Sequence, residues 1–515
     1  MTTEFVRVQV FRDTYRDSVD LMRVASEVEQ LRGVRRAALL MATPANRELL
    51  AQAGLFHESA ASARPSDLIV AVAADDDDAA QAAIARATSL LTAETQVAVG
   101  SAGQRPPSTI AAALGDLPGA NLAIISTPGP YATAEALKAL KRGLHVFLFS
   151  DNVPLAEEIE LKRLALRKGL LVMGPDCGTA ILDGVPLGFA NAVRRGRIGL
   201  VGASGTGLQQ VVCLIDRLGE GVSQAIGVGG RDLDEPVGGL MMLAGIGRLI
   251  DDRDTAAIVL VSKPPSADVA RRVLDRASSA PKPVVVCFLG GDPALIGTSG
   301  AMPAGTLEEA AVLAVELASG RSPAGESRRD GDDNLRAVAA AETRRLAPGQ
   351  YAIRGLYSGG TLCKEAALIL ADVLSDEGAR RGHTLLDLGA DEFTVGRPHP
   401  MIDFRLRNEH IAAAADDPTT AVILLDVVLG YGSHPDPAGA LNPAIGEARA
   451  RSAQAGRSLV VIVSVCGTPA DPQNLIQQEE RLAAAGVLLA PSNAQAARLA
   501  ALVALEASVR RARRP

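Results

Sequence analysis

Short apolar runs alternate with helical patterns along almost the whole chain. Phe5–Val10 alternates apolar and polar positions and reads as a half-buried strand. Ser18–Leu31 carries Leu21, Val24, Val28 and Leu31 at helical spacing. Val34–Met41 reads as a second strand, Pro44–Ala53 as a short helix, Asp67–Ala73 as a third strand, and Ala79–Leu91 as the helix after it. A loop-like stretch over 96–120 follows. Strands over Asn121–Ser126, His145–Phe149 and Leu170–Met173 then alternate with helices near Ala132–Lys141 and Ala156–Lys168. Strands over Arg197–Val201, Ser223–Val228, Thr255–Val261 and Pro283–Phe288 enclose helices after Gly205 and over Gly239–Ile250 and Ala267–Arg276. The last series of strands is Tyr351–Leu356, His383–Leu388, Ala421–Leu425, Leu459–Ser464 and Val487–Leu489. Its helices follow Gly360 and lie near Arg407–Ala415, Asn442–Ala455 and Asn474–Ala485, with one more at the end. Short apolar strands alternating with helices make parallel sheets covered on both faces.

The expected fold class is α/β: several doubly wound parallel-sheet units behind a small N-terminal α/β domain. A chain of 515 residues is too long for one core. The breaks in pattern place the small domain at 1–95, a Rossmann-like unit at 96–192, and flavodoxin-like units at 193–320 and 346–515. Residues 321–345 include the charged stretch RSPAGESRRDGDDN and read as a linker.

Composition narrows the function classes. There is no Trp and only 3% of residues are aromatic, so stacking surfaces for single-stranded nucleic acid are not expected. A net charge of −7 also argues against a nucleic-acid footprint. Cys177, Cys213, Cys287, Cys363 and Cys466 are far apart and form no CxxC pair. Neither a metal site nor a disulfide framework is expected, and a reducing, cytoplasmic location fits. Met1–Val10 lacks a signal-type apolar region, and no run of about 18 apolar residues suits a bilayer. The acidic run Asp75–Asp78 lies where a strand enters a helix, and reads first as complementing that helix's positive end.

Two glycine-serine turns carry the first chemical signal. One spans Gly199–Gly207 (GLVGASGTG), the other Gly355–Thr361 (GLYSGGT). Each follows an apolar strand and opens a helix. Glycines let backbone N–H groups approach a ligand, and a helix N-terminus favours an anion. Ser204, Gly205, Thr206 and Gly207, with Ser358, Gly359, Gly360 and Thr361, are therefore candidate donors to a phosphate or carboxylate. Tight-turn chemistry explains either turn alone. Two in matching positions suggest one shared anion.

Further motifs bring in a family. VMGPDCGTAIL (172–182), IGLVGASGTGLQQV (198–211), IGVGGRDL (226–233) and GTSGAMPAGTLEEAA (297–311) resemble the α subunit of succinyl-CoA synthetase. GLYSGGTLCKEAALIL (355–370), LLDLGADE (385–392), AVILLDVVLGYGS (421–433) and CGTPAD (466–471) resemble the C-terminal domain of its β subunit. No segment remains for an ATP-grasp domain, so no nucleotide-binding domain is expected. This combination looks like the FdrA family of the same superfamily. The resemblance implies that 96–192 is a CoA-binding-like domain with its front half replaced, and that the two later units are CoA-ligase domains.

The departures from the synthetases shape the expected chemistry. In those enzymes a phosphate-carrying His sits in a G-H-A-G-A loop. The matching stretch is Gly297–Ala301, with Thr298 at the His position and Ser299 beside it. The Glu that holds that His sits in a G-E-I-G-G turn. Here the turn is Ser262–Ser266, and Lys263 replaces the acid. A cation suits a phosphate or acyl phosphate, although Lys263 also reads as a solvated lysine at a strand end. Pro128, Asp151 and Asn152 match loops on the CoA side, and Cys177 lies where the family keeps a cysteine near the CoA thiol. With no base beside it, Cys177 itself reads as an inert buried thiol. His434 is a candidate general acid or base, or a structural loop histidine. Asp232 and Asp234, after Gly229-Gly230, read as an exposed turn or as site carboxylates, as do Asp387 and Asp391 on either side of Gly389.

The resemblance thus implies acyl or carbamoyl transfer between phosphate and a small acceptor, without a phosphohistidine. Its sharpest form is an oxamate carbamoyltransferase of purine (allantoin) catabolism, acting with partner subunits and assembling as an oligomer. Two other readings stay open. One is an acyl-CoA synthetase (ligase) subunit using CoA and completed by partners. The other is a non-catalytic binding or regulatory subunit.

Overall fold

The computed structural model describes residues 5–16, 18–99, 107–321, 328–374, 382–394 and 398–512. They form two compact units, Met1–Ala120 with Ala390–Asp403, and Asn121–Gly389 with Phe404–Pro515.

The first unit contains β1 (Phe5–Phe11), α1 (Ser18–Glu29), β2 (Val34–Met41), α2 (Pro44–Gln52), β3 (Leu68–Ala74), α3 (Asp77–Val99) and α4 (Ile110–Asp116). The strand order is β1-β3-β2, with β3 antiparallel to both neighbours. β3 (LIVAVAA) is buried on both faces, and its two-residue period sorts the core. Leu68, Val70 and Val72 pack against Leu21, Val24 and Val28 of α1 and Ala83 and Ile84 of α3. Ile69, Ala71 and Ala73 face Leu50 of α2, Leu55 and Ala60 on the other side. The acidic run is spent locally. Asp76 caps the Ala79 amide at 2.8 Å, while Asp75 and Asp77 pair with Arg35 and Arg7 at 2.6 and 3.1 Å.

The second unit opens with β4 (Leu122–Ile125), α5 (Gly129–Lys141), β5 (His145–Leu148), α6 (Leu155–Arg167) and β6 (Val172–Met173), forming a parallel sheet in the order β4-β5-β6. Next come β7 (Thr179–Leu182), β8 (Val185–Gly188), β9 (Arg195–Gly202), α7 (Gly205–Arg217), β10 (Val222–Gly227), α8 (Leu240–Asp251), β11 (Ala257–Ser262), α9 (Ala267–Ser278), β12 (Val284–Phe288), α10 (Pro293–Thr298), β13 (Met302–Pro303) and α11 (Leu307–Ala318). Their sheet runs β13-β12-β11-β9-β10-β7-β8. It is parallel except for the β7–β8 hairpin, which adds on antiparallel to β10. The hairpin lies outside the strands read from the sequence, because Pro186 and the Asp183-Gly184 turn leave only two four-residue runs.

Residues 328–343, inside the stretch expected as a linker, form α12 (Arg328–Thr343). Its later part (AVAAAE) is a good helix former, and Ala339 is fully buried. The last sheet comprises β14 (Ala352–Tyr357), α13 (Gly360–Val373), β15 (Thr384–Asp387), α14 (Arg405–Asp416), β16 (Thr420–Val428), α15 (Pro437–Gln454), β17 (Val460–Cys466), α16 (Leu475–Ala484), β18 (Leu488–Ala490) and α17 (Asn493–Ala512). It is parallel, in the order β15-β14-β16-β17-β18. The Thr343 hydroxyl donates to the Val503 carbonyl at 3.4 Å, tying α12 to α17.

Strand order locates the crevices of this unit. From β9 the chain runs to β10 on one side and then crosses to β11 on the other. From β14 it runs to β15 and then crosses to β16. Strand order therefore reverses beside β9 and beside β14, and ligands of open α/β sheets bind at the carboxyl ends of strands at such points. The turn after β9 carries Ser204, and the turn after β14 carries Ser358.

Candidate anion site

The two glycine-serine turns meet. Ser204 caps α7, its Oγ accepting from the Gly207 amide at 3.0 Å. The same Oγ lies 2.6 Å from Oγ1 of Thr361, in the first turn of α13. Beside this contact, a side chain on Gly359 would meet Cγ2 of Thr206 at 3.0 Å. The N-termini of α7 and α13 therefore converge, each with the positive end of its dipole. Among the described residues, no protein acceptor meets the N–H groups of Gly205, Thr206, Gly360 or Thr361, as the first turn of a helix requires of a ligand or water.

Not every expected donor is left over. The Ser358 amide and hydroxyl donate to Asp426 at 2.7 and 3.0 Å, and the Gly359 amide donates to it at 2.7 Å. Asp426 lies on β16, is fully buried, and pairs with fully buried Arg407 at 3.0 Å. Ser358 and Gly359 were expected to hold an external anion. An internal carboxylate already takes these donors, so that expectation is corrected for both. A second carboxylate, Asp387 at the end of β15, occupies the space that a side chain on Gly360 would fill.

Lys263 follows β11, the strand next to β9, and is exposed. Its charge reaches the Cys363 thiol, one turn into α13. Burial pushes that thiol up to about 12, with Asp387 and Asp426 adding to the rise and Lys263 opposing it. Lys263 thus stands at the carboxyl end of the strand next to β9. Thr298 and Ser299 close the short α10, their hydroxyls donating to the carbonyls of Leu295 and Ile296 at 2.8 and 2.7 Å. His434 organises its own loop. Its Nδ1 accepts from the Asp436 amide at 3.0 Å, and its ring stands edge-on to Phe404.

The residues expected on the CoA side form a second cluster. The Asp151 and Asn152 carbonyls crowd Gly129, directly after Pro128, so these two loops are brought together. The Thr127 hydroxyl is buried without a partner. Cys177 is 3% exposed, and burial pushes its thiol up to about 12.

Asp232 lies in neither an exposed turn nor an open site. It is fully buried between the Lys162 ammonium, at 2.8 Å, and the Met241 and Met242 amides of α8, at 3.1 and 2.9 Å. Lys162 also donates to Glu158 at 2.8 Å. Sequence reading missed Asp426 and Arg407. A lone Asp within the otherwise apolar run AVILLDVV was the available signal.

Three family models match the chain. The one described as CoA-ligase covers residues 356–503, the CoA binding domain covers 193–291, and the AllF heavy metal-associated domain covers 1–107. Fold and matches together define an acyl-CoA ligase-like α/β protein. Heavy metals are held chiefly by thiolate and imidazole. Residues 1–107 contain no cysteine, and their one histidine, His57, is an exposed loop residue whose Nδ1 accepts from the Ser59 amide. The residues present do not fit a heavy-metal centre. Among the described residues no helix is long and apolar enough to cross a membrane.

YahF of Escherichia coli (strain K12) is 43% identical over 512 residues, 96% of this chain and 98% of that protein. The alpha subunit of the ADP-forming succinate–CoA ligase of Methanothermobacter thermautotrophicus is 29% identical over 174 residues, 33% of this chain and 57% of that subunit. The ADP-forming sulfoacetate–CoA ligase subunit SauD of Bilophila wadsworthia is 28% identical, over 33% of this chain and 60% of that subunit. The match thus spans less than two thirds of either ligase subunit. The chain belongs to the FdrA-like branch of the succinyl-CoA synthetase superfamily.

Proposed function

We propose that the protein transfers an acyl group, in its sharpest form a carbamoyl group, between phosphate and a small acceptor. The convergence of Ser204 and Thr361 at 2.6 Å carries this reading. Two helix N-termini with free first-turn N–H groups suit the phosphoryl end of a mixed anhydride. In transfer, the bond between the acyl carbon and the bridging phosphate oxygen breaks. Phosphate leaves with the electron pair and takes up the proton that the acceptor's nucleophilic atom gives up as it bonds to the acyl carbon. Negative charge grows on the phosphate, where the paired helix ends and the Lys263 ammonium stabilise it. Thr298 stands at the position matching the synthetase histidine, which supports transfer without a phosphohistidine on this loop. In this sharpest form oxamate is the acceptor or product, and partner subunits complete the assembly.

A second reading is a subunit that forms a CoA thioester with partners. The buried, unpartnered Thr127 hydroxyl beside Pro128, and the CoA-binding and CoA-ligase matches, favour it. The Pro128 and Asp151–Asn152 loops would hold CoA, and CoA would supply the thiol that accepts the acyl group. Cys177, buried and with its thiol pushed up by burial, would pack rather than react.

Calorimetric titration of the full chain with phosphate, carbamoyl phosphate and CoA, side by side, separates the readings. Phosphate-type binding without CoA supports transfer from an acyl phosphate. CoA binding that is weakened by changes at Thr127 supports the thioester reading. Binding of neither contradicts both.

A further inference from the structure

Asp426 is an unusual occupant for the positive end of a helix that is to hold an external anion. It is fully buried on β16, at the reversal of strand order beside β14. Both carboxylate oxygens are saturated. Oδ1 accepts from the Ser358 amide at 2.7 Å and from Arg407 at 3.0 Å, and Oδ2 accepts from the Gly359 amide at 2.7 Å and the Ser358 hydroxyl at 3.0 Å. Arg407, fully buried on α14, also donates to the Asp426 carbonyl at 2.6 Å. Two opposing effects follow. The carboxylate fixes the turn that opens α13, because its amides would otherwise be buried and unpaired. Left alone, its charge would also cancel the positive end of that helix and repel an incoming phosphate. The guanidinium behind it removes the second effect and keeps the first.

We propose that Asp426 and Arg407 are a neutral positioning pair for the anion site: Asp426 sets the Ser358–Gly359 turn so that the Gly360 and Thr361 donors face Ser204, and Arg407 preserves the positive field there. Both act through the turn rather than on the ligand. The proposal rests on the acyl-phosphate reading above. It assigns a role to the exchange of external for internal anion at Ser358 and Gly359, and it accounts for the charge of Asp426 at the helix end.

The test is phosphate titration by calorimetry of the full chain, with the melting temperature of each variant alongside. Wild type is compared with S204A, R407Q, R407K and the double variant D426N/R407Q. R407Q leaves an unbalanced carboxylate at the helix end and is expected to weaken phosphate binding about tenfold. D426N/R407Q restores neutrality and is expected to recover most of that affinity while still melting below wild type. R407K keeps the charge but not the planar fork, so it should bind phosphate nearly as wild type does even though it melts earlier. It keeps the test decisive if R407Q does not fold. A merely structural pair gives the opposite pattern: affinity follows melting temperature, the double variant stays as weak as R407Q, and R407K loses affinity with stability. Loss of binding in S204A with no change in R407Q overturns the positioning role alone. No phosphate binding to wild type overturns the acyl-phosphate reading and this proposal with it.

Discussion

Ser204 Oγ lies 2.6 Å from Thr361 Oγ1, although 157 positions separate the two residues. Each hydroxyl stands at the start of a helix that leaves a strand beside a reversal of strand order. One contact therefore joins the crevices beside both reversals of strand order, the places where open α/β sheets in general hold ligands. At that distance one hydroxyl donates to the other, which leaves the second hydroxyl's proton for an arriving anion.

Lys263 is exposed and contributes charge rather than packing. K263A is expected to weaken phosphate binding about fivefold, the worth of one charge-assisted contact. The melting temperature should stay within about a degree of wild type, because an exposed side chain away from the core contributes little to stability. Unchanged phosphate affinity in calorimetry would return Lys263 to the solvent.

All five cysteines are buried. Burial pushes the thiols of Cys177 and Cys363 up to about 12, so hardly any thiolate exists near neutral pH. Native protein should therefore react slowly with a disulfide reagent such as DTNB, and all five thiols should appear only in denaturant. Fast labelling of Cys177 in the native state would contradict the packing role assigned to it.

Glu365 of α13 accepts from the Leu307 amide at 2.7 Å and from Asn493 at 2.8 Å. Burial nonetheless raises its carboxyl from the ordinary 4.5 to about 7. Between those values the folded chain holds more protons than the unfolded one, so this residue's contribution to stability is present at low pH and is lost as pH rises through about 7. Melting temperatures of wild type and E365Q across that range should show a shallower fall in the variant. Parallel profiles would contradict the assignment.

Lys162 is fully buried between Glu158 and Asp232, which are themselves buried. K162M removes the buried cation that Glu158 and Asp232 share, leaving Glu158 with Arg231 at 2.9 Å and Asp232 with the Met241 and Met242 amides. Breaking such a pair costs about 3–5 kcal/mol, and urea unfolding should show the loss as a lower midpoint. A midpoint close to wild type would mean that the carboxylates are satisfied without it.

Most strands and helices of the larger unit were legible in the sequence, because apolar runs such as RIGLV and AVILL alternate with amphipathic segments. The N-terminal domain was legible as elements but not as a sheet. That β3 lies between β1 and β2 and runs antiparallel to both depends on pairing that local pattern does not encode. Helix α12 was hidden because its early turns are charged, while the alanines that bury it follow only later. The turns that carry Ser204 and Thr361 were legible as glycine-serine turns that open helices. The fate of Ser358, Gly359 and Asp232 was not. It is decided by Asp426, 68 positions from Ser358, and by Lys162, 70 positions from Asp232; the lone Asp in AVILLDVV marks one partner, but the pairing itself is not written locally.

The most direct test of the central claim is a phosphate titration, by calorimetry, of wild type against T361V. The variant keeps the shape of the side chain and removes the hydroxyl that meets Ser204. The account predicts saturable phosphate binding to wild type, weakened about tenfold in T361V, with both proteins melting within a few degrees of each other. Equal phosphate affinity in the two proteins would contradict it, because the paired helix ends would then have no part in holding the anion.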